Sequence, residues 1–380
     1  MRSFMTILTV YFCGTGSNKF DESHANYWNG ELISSLAANN KGKEFAEWVI
    51  LDGPGSGNLQ SDELWVKSGE YSQLRAQLLG SGWNENVQHA INIIKGHVDW
   101  QREKLTKENY EQLKKAGVPI QDVEVTGSFW WRKYDYGDRK VTQQALQQQI
   151  IKTFRQGQIL PTQVNLVGWS RGGISCHMLA NAMLADPLLT TIPVNIFAVD
   201  PVPGMGNFQP EKVTLGSNVK EYVAFYARHE RSKGFSCVIP QTDSTTKVHI
   251  YPMSGRHATL VGNASANGNS GEKVVHEPGT IVRHFAEVCL QRWGVTLDKK
   301  LNLDGVQLLE LHQVIQRNAP LFAEMQKTVY TISENDGGER YVSLGNTGKR
   351  FSSIQGARFS PESGLASDYL TNQAIYNVLK

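Results

Sequence analysis

An apolar run over 164–169 leads directly into Gly168-Trp169-Ser170-Arg171-Gly172-Gly173, and residues 171–184 follow at once with helical spacing. Gly-x-Ser-x-Gly between a buried strand and a helix requires a turn so tight that the two backbones touch, which excludes side chains at Gly168 and Gly172. Such a turn lifts a serine hydroxyl above the carboxyl edge of a sheet and aims the first amides of the helix at the same point. Ser170 is therefore the candidate nucleophile, with the Arg171 amide as one donor to a developing oxyanion. The pentapeptide also arises by chance, and the competing reading is a tight turn without chemistry.

The neighbouring segments predict a parallel sheet. Ile7–Phe12 and Trp48–Leu51 are short β-rich runs that end in glycine-rich turns, and 30–38 between them has helical spacing. Val194–Val199, 222–227 and 248–253 read as further strands, whereas 84–115, 142–155, 281–293 and 308–326 read as helical. Strands alternating with helices favour an α/β architecture. Gly127–Tyr136 is an aromatic and charged patch containing Phe129, Trp130, Trp131, Tyr134 and Tyr136, readable as a lid or membrane-touching surface or as ordinary aromatics. Strand signals thin out beyond about residue 300.

A serine hydroxyl needs a base to take its proton, and a carboxylate to orient that base. In a sheet of this kind the chain order is serine, acid, histidine, each at a strand's carboxyl end. Asp200 closes the run Val194–Val199 and is the candidate acid; Asp243, in the loop before 248–253, is its rival. Seven histidines follow Ser170. His177 lies inside the next helix and His249 at the wrong end of a strand. His257 sits just past 248–253, where the order requires a base, and His276 and His284 are fallbacks. For the second oxyanion donor, the turn Gly14-Thr15-Gly16 after the first strand is the best candidate and Asp52–Gly57 its rival.

Bulk properties narrow the partners. The chain has 380 residues, 40% of them hydrophobic, which is enough for a large core. A net charge of +2 supplies no general drive toward nucleic acid or anionic membrane, so no nucleic-acid partner is expected. Cys13, Cys176, Cys237 and Cys289 stand far apart with no C-x-x-C pair, which argues against zinc and redox motifs. They are expected buried and reduced, and neither metal nor cofactor is expected. The amino terminus resembles a short signal peptide, but Thr6 and Thr9 interrupt its apolar run and Phe12 is bulky where cleavage would need a small residue. It is read as a first strand, in a chain made in the cytoplasm without a cleavable signal. No run reaches the roughly 18 apolar residues of a membrane span.

These pieces, in order, resemble a family of α/β-hydrolase domains that includes the lipase effectors of bacterial type VI secretion. The resemblance rests on Phe12-Cys13-Gly14-Thr15-Gly16-Ser17-Asn18 (where the family usually has aspartate at the position of Cys13), on Asp52-Gly53-Pro54-Gly55-Ser56-Gly57, and on Gly82-Trp83-Asn84-Glu85-Asn86-Val87. It continues in the elbow with its arginine after serine, in Asp200-Pro201-Val202, and in the segment Gly255–Gly262, one residue longer than the family's. It covers roughly residues 6–290 and implies an α/β-hydrolase fold, a mostly parallel central sheet flanked by helices over 1–300; the segment at about 100–145, read as a helical insertion, and 301–380, read as an extension packed on the domain, lie outside the resemblance. It implies hydrolysis of carboxylic esters, lipid or phospholipid acyl esters above all, with transient membrane contact, export by a specialised secretion system and an immunity or secretion partner. The alternatives are an inactive binding module on the same fold, and a hydrolase of a non-lipid ester or thioester.

Overall fold

The computed structural model describes residues 6–53, 83–96, 124–126, 133–135, 160–204, 206–328, 341–344 and 347–350. Its strands, in chain order, are β1 Ile7–Phe12, β2 Trp48–Leu51, β3 Glu124–Thr126, β4 Lys133–Asp135, β5 Gln163–Trp169, β6 Val194–Val199, β7 Val219–Ala227, β8 Cys237–Ile239, β9 Lys247–Met253, β10 Tyr341–Leu344 and β11 Thr347–Arg350. The helices are α1 Leu32–Ala38, α2 Trp83–Lys95, α3 Arg171–Ala185, α4 Pro210–Val213, α5 Glu277–Arg292, α6 Gly305–Arg317 and α7 Ala319–Met325.

Six strands form one sheet in the order β2-β1-β5-β6-β7-β9, and every pairing in it is parallel. Strand alternation explains how it is buried. Leu8, Val10, Phe12, Leu166, Ile196 and Ala224 face one layer with α2 and α3 residues such as Ile93 and Leu179. Tyr11, Val167, Phe197 and Phe225 face the opposite layer with Ile33, Ile281 and Phe285 of α1 and α5. Each layer removes one sheet face from water, so the strands read as nearly continuous apolar runs. This is the α/β arrangement that the strand and helix signals imply, a parallel central sheet flanked by helices.

The topology also fixes where a ligand sits. From β1 the chain passes to β2 on one side and later to β5 on the other, so the strand order reverses between β1 and β5. The crevice at the carboxyl ends of two such strands is the natural binding position in an open α/β sheet. Here those ends are Phe12, leading into Gly14-Thr15-Gly16, and Trp169, leading into Ser170.

In the carboxyl-terminal part, 308–326 is helical as expected, in two helices, because Pro320 stands in the first turn of α7 and removes a helical amide. Strands β10 and β11 also occur beyond residue 300, β10 pairing parallel with β8. Leu308, Ile315, Phe322 and Met325 of α6 and α7 enter the same apolar layer as α5. Within 100–145, expected to be a helical insertion, the described residues are strand instead: β3 and β4 form a two-stranded antiparallel ribbon. The patch 127–136 outside Lys133–Asp135, the expected helix 142–155, and the part of 84–115 beyond residue 96 lie outside the described residues. All four cysteines are buried and none forms a disulfide. No helix among the described residues is long and apolar enough to cross a membrane.

Candidate active site

Ser170 sits between β5 and α3 with φ 56° and ψ −126°. For a residue with a side chain this backbone costs about 1–3 kcal/mol and persists only when its surroundings hold it. The surroundings do so. Ser170 N donates to Val199 O at 2.9 Å, and Ser170 O accepts from Val202 N at 3.2 Å, so the turn is tied to the end of β6 on both sides. A side chain at Gly168 would lie 2.4 Å from Gly172 O, and one at Gly172 would lie 2.2 Å from Phe12 O. Both distances are below contact with backbone that cannot move aside, so these glycines are what allow the elbow to close against β1. The Ser170 side chain makes no capping bond to α3, which leaves the hydroxyl for other work.

Asp200 follows β6 in a similarly rare conformation, φ 45°, and is completely buried. Its amide donates to Phe225 O at 2.7 Å. Its Oδ1 accepts from Ala227 N at 3.0 Å, and its Oδ2 lies 2.5 Å from Nδ1 of His257. An ionised carboxylate only accepts, so in the neutral imidazole Nδ1 donates to it and Nε2 is the nitrogen left without a proton. His257 begins a short turn, His257–Val261, just past β9. Its ring lies between two aromatics: Trp169 at 5.0 Å and Phe235, edge-on, at 4.9 Å between centroids.

The rivals lie elsewhere. Asp243 is on the surface before β9, at the opposite sheet edge from Ser170, where its carboxylate accepts from the amide and hydroxyl of Thr245 at 2.9 and 2.7 Å. Those bonds hold its pKa below the usual carboxylate range. His177 is buried between Lys212 O at 2.8 Å and Tyr222 Oη at 3.1 Å, and burial lowers its pKa to about 4. His249 lies 3.6 Å from Glu221, His276 stacks on Trp28, and His284 is buried within α5.

A cavity of about 560 Å³ opens over these groups, and Ser170, His257, Trp169, Arg171, Thr15 and Gly16 are in its lining. Arg171 Nη1 donates to Thr15 Oγ1 at 2.5 Å, clamping the loop after β1 to the first residue of α3. Burial lowers the Arg171 pKa to about 10. Gly14 stands behind the cavity rather than in it, against the Trp169 indole, where an added side chain would come within 2.3 Å of the ring. Of the rival loop, Asp52 and Gly53 support this turn from outside: Asp52 Oδ1 accepts from Lys19 N at 2.9 Å, and Gly53 N donates to Ser17 O at 2.9 Å. Residues 54–57 lie outside the described residues.

The cavity's lining is of two kinds. Trp169, Val202, Phe235 and Ala258 contribute apolar groups; Asn18, Asp21, His24, Asn26, Tyr27 and Asn263, most of them from the loop after β1, contribute polar ones. Burial raises the pKa of Asp21. Sequence reasoning missed these polar groups, because 18–28 is irregular and carries no periodicity. It also missed the buried Glu230–Arg256 pair, 3.4 Å apart, whose partners are far apart in sequence. Arg256 and Trp169 at least adjoin residues that the order rule singles out.

No family model matches this chain, and no curated protein does. Among solved structures it is similar to an uncharacterized protein from Pseudomonas aeruginosa, at 12% identity and a TM-score of 0.46, over 84% of this chain and 52% of that one. It is also similar to the Tle1 effector bound to the VgrG spike from the type 6 secretion system, at 12% identity and a TM-score of 0.32, over 67% of this chain and 50% of that one. The chain thus spans about half the length of both of these structures.

Proposed function

We propose that this chain is a serine hydrolase of carboxylic esters that works through an acyl-enzyme on Ser170. The observation that carries the reading is the 2.5 Å contact between Asp200 and His257 Nδ1, at the cavity that the strained Ser170 elbow also lines. His257 Nε2 takes the Ser170 proton as Oγ attacks the ester carbonyl. Asp200 fixes the imidazole tautomer and stabilises the imidazolium. The Arg171 amide, at the positive end of α3, and the loop Gly14–Gly16, presenting Thr15 and Gly16, stabilise the oxyanion. His257 returns the proton to the leaving alcohol. Water, activated by the same imidazole, then releases the acid and restores Ser170. The division into a catalytic unit over 1–300 and an extension over 301–380 belongs to this reading.

The substrate class follows from the two kinds of lining. A lining that offers both apolar and polar groups around one serine suits an ester with an acyl chain and a hydrophilic alcohol, which describes lipid and phospholipid acyl esters. Phe20 and Trp28, 54% and 43% exposed on the segment that supplies most of the polar groups, suit transient contact with a membrane surface. The resemblance carried by the elbow and its flanking turns adds export by a secretion system, with a secretion or immunity partner.

The test is a substrate panel of p-nitrophenyl butyrate, a monoacylglycerol and phospholipid vesicles, with fatty-acid release as the readout. The expected result is release from the two lipids, absent in Ser170→Ala. Cleavage of the soluble ester alone would overturn the lipid assignment, and no cleavage of any would overturn the hydrolase reading.

A further inference from the structure

We infer that the carboxyl-terminal extension holds the catalytic base in place: Phe322 and Thr328 brace, through His229 and Arg256, the loop that carries His257. The inference rests on the assignment of His257 as base. That loop needs a brace. It leaves β9, which is, among the described residues, an edge of the six-stranded sheet paired with β7 alone. A base must be held within about 0.5 Å of its working position.

Two connections supply the support. The first runs through Arg256, the residue before His257, whose side chain is completely buried. Its Nε lies 3.4 Å from Glu230 Oε2, and its Nη1 donates to Asn267 O at 2.9 Å and to Thr328 Oγ1 at 3.1 Å. Glu230, also completely buried, accepts on Oε1 from the amides of Arg231 and Ser232 at 3.0 and 2.7 Å, while Oε2 lies 3.4 Å from the amide of His257 itself. The planar guanidinium thus spans the loop after β7, the loop after β9 and the extension at once, which a point charge could not do.

The second connection runs through His229. Its amide donates to Gly255 O and its Nδ1 accepts from Gly255 N, both at 3.0 Å, so the two loops are paired in both directions. Its ring stacks on Phe322 of α7 with centroids 5.6 Å apart. Burial lowers the His229 pKa to about 3, which keeps Nδ1 an acceptor. None of Phe322, Thr328, Arg256, Glu230 or His229 lines the cavity, so they act as positioning residues rather than on substrate.

The test uses the full chain with p-nitrophenyl butyrate, comparing Thr328→Val, Thr328→Ser and Arg256→Lys with wild type and Ser170→Ala. Thr328 is exposed, so its variants fold. The brace predicts a kcat about threefold to tenfold lower for Thr328→Val and at least about tenfold lower for Arg256→Lys, set against the ~10²-fold that a 1 Å misplacement costs. KM stays within about twofold and Thr328→Ser recovers wild-type kcat, because it keeps the hydroxyl acceptor. If wild type is active and both Thr328→Val and Arg256→Lys keep its kcat, the brace is wrong. It is equally wrong if the losses appear in KM, track the melting temperature, or persist in Thr328→Ser. A wild type that hydrolyses no ester overturns the assignment of His257, and the brace with it.

Discussion

Ser170→Ala is expected to lower kcat for ester hydrolysis by about 10⁵-fold or more, the scale on which an activated serine acts. The residual rate above water is what binding and the oxyanion donors supply without a nucleophile. The fold should be unaffected. The Ser170 side chain caps nothing in α3, and the backbone bonds that hold the elbow, to Val199 and Val202, are main-chain bonds that alanine keeps. Alanine also occupies φ 56° at much the same cost as serine. The measurement is initial-rate hydrolysis of p-nitrophenyl butyrate beside a thermal melt. A variant with more than about one hundredth of wild-type kcat would exclude Ser170 as nucleophile.

Asp200→Asn carries the second large effect, and the hydrogen bonds around Asp200 determine its sign. Oδ1 accepts from the Ala227 amide, so asparagine must place its carbonyl oxygen there. Its amide nitrogen then faces His257 Nδ1 as a donor. The imidazole can satisfy that donor only by accepting at Nδ1, which moves its proton to Nε2 and leaves no base toward Ser170. At neutral pH the expected loss in kcat is about 10⁴-fold, with little change in overall geometry. Asp243→Asn, at the exposed turn before β9, is expected to retain wild-type kcat. The reverse pattern would move the acid to Asp243.

Why some of this was legible in the sequence and some was not has a physical explanation. Ile7–Phe12, Trp48–Leu51 and Val194–Val199 match the strands residue for residue, because strands in a covered sheet must be almost wholly apolar, and glycine-rich turns after the first two and Asp200-Pro201 after the third mark where they stop. Ser170 was legible because the backbone approach at Gly168 and Gly172 leaves only one residue type available there. Asp200 and His257 could be named from chain order alone, since a parallel sheet presents every strand's carboxyl end at one edge. The polar lining could not be: Asp21, His24 and Asn26 reach the cavity through irregular loop geometry that has no repeat in sequence. The Glu230–Arg256 pair depends on two loops meeting, which pattern alone does not encode. The break between α6 and α7 was readable in principle, because Pro320 cannot continue a helix, but the apolar spacing on either side hides it.

Covalent labelling with a fluorophosphonate tests the central claim most directly, because it needs no knowledge of the natural ester. The probe reacts with a serine only when a base and an oxyanion site activate it. One adduct per chain is expected, located by peptide mapping on Ser170, absent in Ser170→Ala and strongly slowed in His257→Ala. A wild-type chain that stays unlabelled, or an adduct at another residue, would contradict it.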